Sequence, residues 1–250
     1  MYKMSLKSSR EIEIMREGGI RLSKVKEKVL KAISPGVSAW EIEELVSDEI
    51  KNLGGKASFK MVPGYQWSTC VNINKGAVHG IPKKEVVFQK GDLVSVDMGM
   101  YYKGFHTDTS VSVYLGNDEK IQKFMEVGKK ALEKGLKAFK QRNTVADITR
   151  AMQSELISAN YSPIYSLCGH GIGKNLHENP RVPMVLSGAK DEKVKLVPGM
   201  VLAIEVMYAM GKGDIILEDD GWTLSTKDGT ISALFEETAA LTKSGRIVLT

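Results

Sequence analysis

Residues 91–97 read Gly91-Asp92-Leu93-Val94-Ser95-Val96-Asp97, and residues 199–205 read Gly199-Met200-Val201-Leu202-Ala203-Ile204-Glu205. Both are short apolar runs that open on glycine and close on a carboxylate, the second lying 108 positions after the first. Runs of this length and composition predict buried strands. Further upstream the correspondence continues at an offset of 106. Ser38-Ala39-Trp40-Glu41 has the capping-box pattern of a helix start, and Thr144-Val145-Ala146-Asp147 resembles it with a shorter acid at the last position. Ile42, Leu45, Val46 and Ile50 then match Ile148, Ala151, Met152 and Leu156, both sets with the spacing of one helix face. An amphipathic helix precedes each, carrying Leu22, Val25, Val29 and Ile33 in the first half and Ile121, Phe124, Ala131, Leu132 and Phe139 in the second. Each half therefore reads helix, helix, strands. The expectation is a single α+β domain over residues 1–250, with an internal repeat of approximately 10–113 and 117–250 related by a pseudo-twofold axis.

Composition narrows the class. The chain has 250 residues, 42% hydrophobic and 26% charged, which excludes disordered and fibrous proteins. The most hydrophobic stretch, Val197 to Met210, is interrupted by Glu205, so no membrane span is expected. The first residues lack the apolar segment of a secretory signal. Cys70 and Cys168 are the only cysteines, too few for a disulfide framework or a cysteine-based zinc site, and a cytoplasmic location is expected. The net charge of +5 is spread over Lys–Glu alternations such as Lys24, Lys26, Glu27 and Lys28, which read as solvated helix faces. No DNA- or RNA-binding motif accompanies them, though the basic excess allows a modest attraction to ribosomal RNA.

The repeat has a chemical consequence. Asp97 and Glu205 each sit in a run expected to be a core strand, where an unpaired carboxylate costs several kcal/mol, on the order of 2–7. A twofold axis would bring the two face to face. Asp108, in Phe105-His106-Thr107-Asp108-Thr109-Ser110, and Glu236, in Ser232-Ala233-Leu234-Phe235-Glu236-Glu237-Thr238, lie in similar β-rich settings. Alternation along a strand sends Glu236 and Glu237 to opposite faces. Of four histidines, His79, His170 and His177 are expected in loops bounded by Gly or Pro beside these acids. Four carboxylates and an imidazole make an oxygen-rich set suited to Mn²⁺, Co²⁺, Fe²⁺ or Zn²⁺, numerous enough for two ions that share carboxylates. Such a pair activates water for hydrolysis. Nucleophile schemes fit less well. Ser95 and Ser232 lack the Gly-x-Ser-x-Gly elbow, and Cys168 and His170 are sequence neighbours, which seldom form the spatial pair such catalysis needs.

With these residues in place, the chain resembles the type I methionine aminopeptidases of the pita-bread family. The matching motifs are VHGIP at 78–82, SVDMG at 95–99, FHTDTS at 105–110, CGHGIGKNLHENP at 168–180, AIEVM at 203–207 and DGWTLSTKDGTISALFEET at 220–238. The resemblance implies a pita-bread fold in which the two halves surround a central antiparallel sheet. It implies that Asp97, Asp108, His170, Glu205 and Glu236 bind two divalent ions, with Asp108 and Glu236 bridging. Glu205 would also carry protons, His79 would contact the scissile amide, and His177 would stabilise the oxyanion. Tyr65, Cys70 and Trp222 match the lining of the family's methionine pocket, and the main chain of Asn74, Gly76 and Ser232 matches a monovalent-cation site. The implied reaction removes the initiator methionine from nascent proteins with a small second residue, by a monomer in transient association with the ribosome.

Four departures from the family pattern bear on pocket shape. Val206 replaces the usual Pro, Glu237 the usual His, Leu176 a common Phe and Val62 a common Tyr. Only 34 residues separate His170 from Glu205, which leaves no room for the long insert of type II enzymes. No zinc-binding extension is expected before the catalytic region. An X-Pro-cleaving pita-bread peptidase is a rival, but those carry an additional N-terminal domain. A non-enzymatic ribosome- or RNA-binding relative is a second rival, and such proteins lose the metal ligands that are intact here.

Overall fold

The structure, a computed structural model, describes residues 4–250; residues 1–3 of the expected domain lie outside it. The first half contributes helices α1 (Ser9–Ala32) and α2 (Ala39–Asn52) and strands β1 (Lys56–Ala57), β2 (Thr69–Ile73), β3 (Gly76–Val78), β4 (Leu93–Tyr102) and β5 (Phe105–Tyr114). The second contributes α3 (Glu119–Ala138), α4 (Val145–Ser158), β6 (Ser162–Pro163), β7 (Cys168–Gly171), β8 (Glu178–Pro183), β9 (Val201–Ala209), β10 (Ile215–Leu217), β11 (Leu224–Thr226), β12 (Ser232–Thr242) and β13 (Gly245–Val248).

The capping patterns form as the sequence implies. Glu41 Oε2 accepts from the backbone N–H of Ser38 at 2.8 Å, while Ser38 Oγ accepts from Glu41 N at 3.2 Å. At the second site the shorter Asp147 still reaches back, accepting from Thr144 N at 2.8 Å and from its hydroxyl at 3.0 Å. The apolar stripes then bury. Leu22, Val25, Val29, Ile42, Val46 and Ile50 pack with Val94, Val96 and Met98 in one core. Phe124, Ala131, Leu132, Ile148, Met152 and Leu156 pack with Leu202, Ile204 and Val206 in another.

One sheet joins the two halves. Its order is β1-β4-β5-β12-β9-β7-β8, with β2 added on β4, β6 on β9 and β13 on β12. The order is symmetric about the β5–β12 seam, since β4–β5 on one side mirrors β9–β12 on the other. Smaller features repeat with it. Gly91 and Gly199, which open the two strand runs, have φ of +96° and +97°, a conformation glycine adopts without Cβ strain. Isolated bridges Ser38–Val87 and Thr144–Lys195 sit at equivalent places. All pairings of the large sheet are antiparallel. A small sheet, β10-β11-β3, stands beside it.

The helices cover the face carrying Val96, Met98, Ile204 and Val206, so alternation leaves Asp97 and Glu205 on the other face. Val206 is wholly buried against the α3–α4 side.

Candidate metal centre and cavity

Register alone gathers the acids. Cys70 lies opposite Asp97, Asp97 opposite Ser110, Ser110 opposite Glu236, and Glu236 opposite Glu205. Directly opposed residues of antiparallel strands share a face, so one row across five strands carries three carboxylates. Asp108 stands two residues from Ser110 on the same face, and His170 pairs with Ala203, two residues from Glu205. A β-carbon at Gly169 would stand 2.5 Å from the carbonyl of Ala203, so glycine there lets β7 close against β9 and bring His170 in. His170 therefore lies on a short strand rather than in a loop, whereas His79 and His177 are in loops as expected.

Ligand atoms of Asp108, His170 and Glu236 lie within 4.8 Å of one another, and all three residues are buried. His170 Nε2 is 3.5 Å from Glu205 Oε1. His170 Nδ1 stands 2.9 Å from the carbonyl of Gly171, which can only accept, so Nδ1 carries the proton and Nε2 keeps its lone pair. Asp97 Oδ1 and Glu236 Oε1 are buried with no hydrogen-bond partner. The ionisation states express the same shortage of positive charge. Burial pushes Asp97 up to about 7, against hydrogen bonds from Glu236 and the Met98 N–H that lower it. Burial, and then repulsion from Asp97 and Glu205, holds Asp108 well above the usual carboxylate range. Glu205 is raised by burial and then by Asp97. Glu236 is raised by burial and then by its three acidic neighbours, Asp108 first. His170 goes the other way, lowered to about 3 by burial and then by His177, so it is neutral. A neutral imidazole and four crowded carboxylates, two with orphaned oxygens, are the donor set a divalent cation requires. The residues present fit a metal.

The cluster opens into a cavity of about 990 Å³. On one side Phe59, Tyr65, Cys70, Leu176 and Trp222 form an apolar pocket continuous with a small core of their own. Tyr65 packs edge-on to Trp222 with ring centroids 5.0 Å apart, and its hydroxyl donates to Thr69 O at 2.8 Å. Val62 lines the same side. His79 and His177 line the cavity beside the acids, the His177 ring standing edge-on to His170 at 4.5 Å. Burial lowers both imidazoles, His79 further through His177, so both are neutral N–H donors. His79 is held at φ +59°, a left-handed conformation uncommon for a residue with a β-carbon.

The model of metallopeptidase family M24 matches residues 13–242. This chain belongs to metallopeptidase family M24. It is 37% identical over 245 residues to methionine aminopeptidase 1 of Bacillus subtilis, covering 98% of each chain. Among solved structures, a methionine aminopeptidase from Thermotoga maritima superposes with a TM-score of 0.94 at 38% identity, covering 100% of this chain and 99% of that one. An Xaa-Pro dipeptidase from Bacillus anthracis superposes at 0.77 with 22% identity and shares the fold; this chain spans 62% of it. The M24 chain described here thus has the pita-bread architecture implied by its sequence, and it is a metallo-aminopeptidase homologue along its whole length.

Every site residue singled out from the sequence lines the one cavity, apart from the Asn74–Ser232 group. There, Ser232 Oγ donates to Gly76 O at 2.8 Å and its N–H donates to Asn74 O at 2.8 Å. Glu237 faces the helices, as strand alternation requires, and Lys26 of α1 meets it at 2.7 Å. His106, the remaining histidine, is structural: its Nδ1 lies 2.9 Å from Ser58 Oγ and its ring packs at a tilt against Tyr101. Sequence reasoning did not find Phe59, Met4, Ser5 or Arg181 in the cavity wall. Phe59 lies in a 3-10 turn with no periodic signal. Met4 and Ser5 arrive through Lys7, whose ammonium meets Glu178 at 2.6 Å across 171 residues of sequence.

Proposed function

We propose that this protein removes the N-terminal methionine from peptide chains whose second residue is small, using Asp97, Asp108, His170, Glu205 and Glu236 to hold two divalent ions. The observation that carries the reading is the row of buried, uncompensated carboxylates beside a neutral His170, opening into a cavity with an apolar pocket. Held in that cradle, the ions supply Lewis acidity and a nucleophile at neutral pH. Mn²⁺, Co²⁺, Fe²⁺ and Zn²⁺ all suit the donors.

The chain's own residues do the rest. Phe59, Tyr65, Cys70, Leu176 and Trp222 take up the thioether side chain and exclude water from it. That fixes the scissile carbonyl over the acids. The Glu205 carboxylate accepts a proton from the attacking water and returns it to the leaving amine, which balances the hydrolysis. His177, neutral because it is buried, donates its N–H to the oxygen that gains charge, and His79 donates on the leaving-group side. Asp108 and Glu236, at the seam between the halves, would be placed to help hold both ions.

The same reading places a monovalent cation by the carbonyls of Asn74 and Gly76 beside Ser232, where backbone oxygens converge. One catalytic domain carries all of this, and the enzyme acts as a monomer in the cytoplasm, near the ribosome where its substrates emerge. Among the described residues no helix is long and apolar enough to cross a membrane, and both cysteines are unpaired, which fits a reducing compartment. The test compares Met-Ala-Ser, Leu-Ala-Ser and Met-Pro-Ser with Mn²⁺-loaded protein. Release of methionine from the first, with little product from Leu-Ala-Ser, is expected. Cleavage confined to Met-Pro-Ser, or silence on all three with metal bound, would overturn the proposal.

A further inference from the structure

The cavity continues past the acids, away from the apolar pocket, to a second wall formed by Met4, Ser5, Ser166 and Leu167. Met4 and Leu167 pack on the core of the second half, whereas Val62 and Trp222 pack on the small core behind the apolar pocket. The two walls therefore lie on different bodies of the fold with the acids between them. A peptide whose first side chain fills the apolar pocket can run on along the second wall.

The charges in the cavity lining can be matched one by one. Asp97, Asp108, Glu205 and Glu236 belong to the proposed metal centre. Glu178 is neutralised by Lys7 at 2.6 Å. Lys174 engages Glu11 at 3.8 Å. Arg181 remains: it lines the cavity, is exposed, and has no carboxylate partner among the described residues. Its position is fixed by register. Ala203 on β9 lies opposite His170 on β7, and His170 lies opposite Arg181 on β8. Arg181 thus shares the face that carries His170 and the acids. Adjacent strands are about 4.8 Å apart, so its Cα stands roughly 10 Å beyond strand β9. An extended peptide advances about 3.3–3.6 Å per residue, so its fourth residue lies about 10 Å from the first and its third about 7 Å, a gap the long arginine side chain can span.

We propose that Arg181 forms a carboxylate-binding subsite for the third or fourth residue of the substrate. The guanidinium offers paired N–H donors that match a carboxylate in one plane. The carboxylate can be an Asp or Glu side chain, or the free C-terminus of a short peptide. The proposal rests on the aminopeptidase reading, and the experiment separates the two.

Kinetics of the Mn²⁺-loaded protein are measured on Met-Ala-Ser-Ser-amide, Met-Ala-Asp-Ser-amide, Met-Ala-Ser-Asp-amide, Met-Ala-Lys-Ser-amide and Met-Ala-Ser-Ser with a free C-terminus. Carboxylate-bearing peptides are expected to show kcat/KM about two- to fivefold above the neutral amide, the scale of one solvent-accessible charge pair. The gain should appear in KM rather than kcat, because the contact is made equally before and during reaction. In Arg181→Gln the ratio of acidic to neutral peptide should fall to about 1, and about 0.5 M salt should compress it in the parent protein. The Lys peptide should fall below the neutral one. A gain confined to the free C-terminus assigns the subsite to short peptides, and a gain within the amides assigns it to long chains. Equal rates for all charge states, or an undiminished ratio in Arg181→Gln, would overturn the subsite. No methionine release from the neutral amide would instead overturn the aminopeptidase reading.

Discussion

Replacing Lys7 by Met is expected to cost about 3–5 kcal/mol of folding stability, the loss seen when one partner of a buried ion pair is removed. The magnitude follows from how completely the pair is enclosed. Lys7 Nζ meets Glu178 Oε2 at 2.6 Å, and the two side chains are 3% and 7% exposed. Without the ammonium, Glu178 keeps one donor, the Asn175 N–H at 3.1 Å on its other oxygen. Methionine preserves the length of the stem that packs over Gly173, so little of the loss comes from packing. For a chain of this size each kcal/mol moves the midpoint by roughly 2–4 °C, so the Tm should drop by roughly 6–20 °C. The assay is equilibrium urea unfolding of metal-free protein for Lys7→Met, Glu178→Gln and the double variant, at unchanged m-value. The double should lose less than the sum of the singles, with about 1–3 kcal/mol of coupling. A Lys7→Met variant within about 0.5 kcal/mol of the parent, or strictly additive losses, would refute the reasoning.

Glu205→Gln at matched metal content should lower methionine release by about 10²–10⁴, and retention of a tenth of the parent activity would remove Glu205 as proton carrier. Metal-free protein should lose stability between about pH 6.5 and 8. The lowered histidines oppose the trend through their unfolded titration near pH 6.5, and their effect fades as pH rises through the window, leaving the raised carboxylates to dominate toward pH 8. Asp97 titrates at about 7 in the fold instead of 3.8, so the folded state holds more protons and stability falls as pH rises. Saturating Mn²⁺ replaces those protons and should raise Tm more at pH 8 than at pH 6.5; a flat metal-free curve would contradict this. Cys70, 4% exposed and raised by burial and then by Asp97, should resist iodoacetamide in the native state. Half-buried Cys168, also raised by burial, should react slowly, and mass spectrometry of peptides would expose the reverse order.

Much of the fold was legible because the chain repeats itself. The matched helix faces and strand runs predicted the order of elements, and strand alternation alone sent Glu237 away from Glu236. The acids were legible because ionisable groups in apolar strands need a reason. Contacts between distant segments were not. Nothing local in Lys7 points to Glu178, or in Lys26 to Glu237, since a lysine in a polar stretch reads as a solvated face until the fold brings its partner. Glu43 is a further case: within an ordinary amphipathic helix pattern, its buried carboxylate accepts from the N–H groups of Ser68 and Thr69 at 2.8–3.0 Å and so anchors the start of β2. The Lys26–Glu237 contact also shows how this chain accommodates Glu237, whose charge would otherwise sit unpaired behind the β5–β12 seam.

The proposed centre is tested most directly by adding Mn²⁺ stepwise to metal-free protein and measuring bound metal and methionine release from Met-Ala-Ser in the same samples. Release should be absent in chelator, rise with bound metal and saturate at no more than two ions per chain. Asp108→Asn and Glu236→Gln should each bind less metal and release less methionine. Equal release in the presence of chelator, or tight binding of two ions by both variants, would contradict a catalytic centre built from these carboxylates.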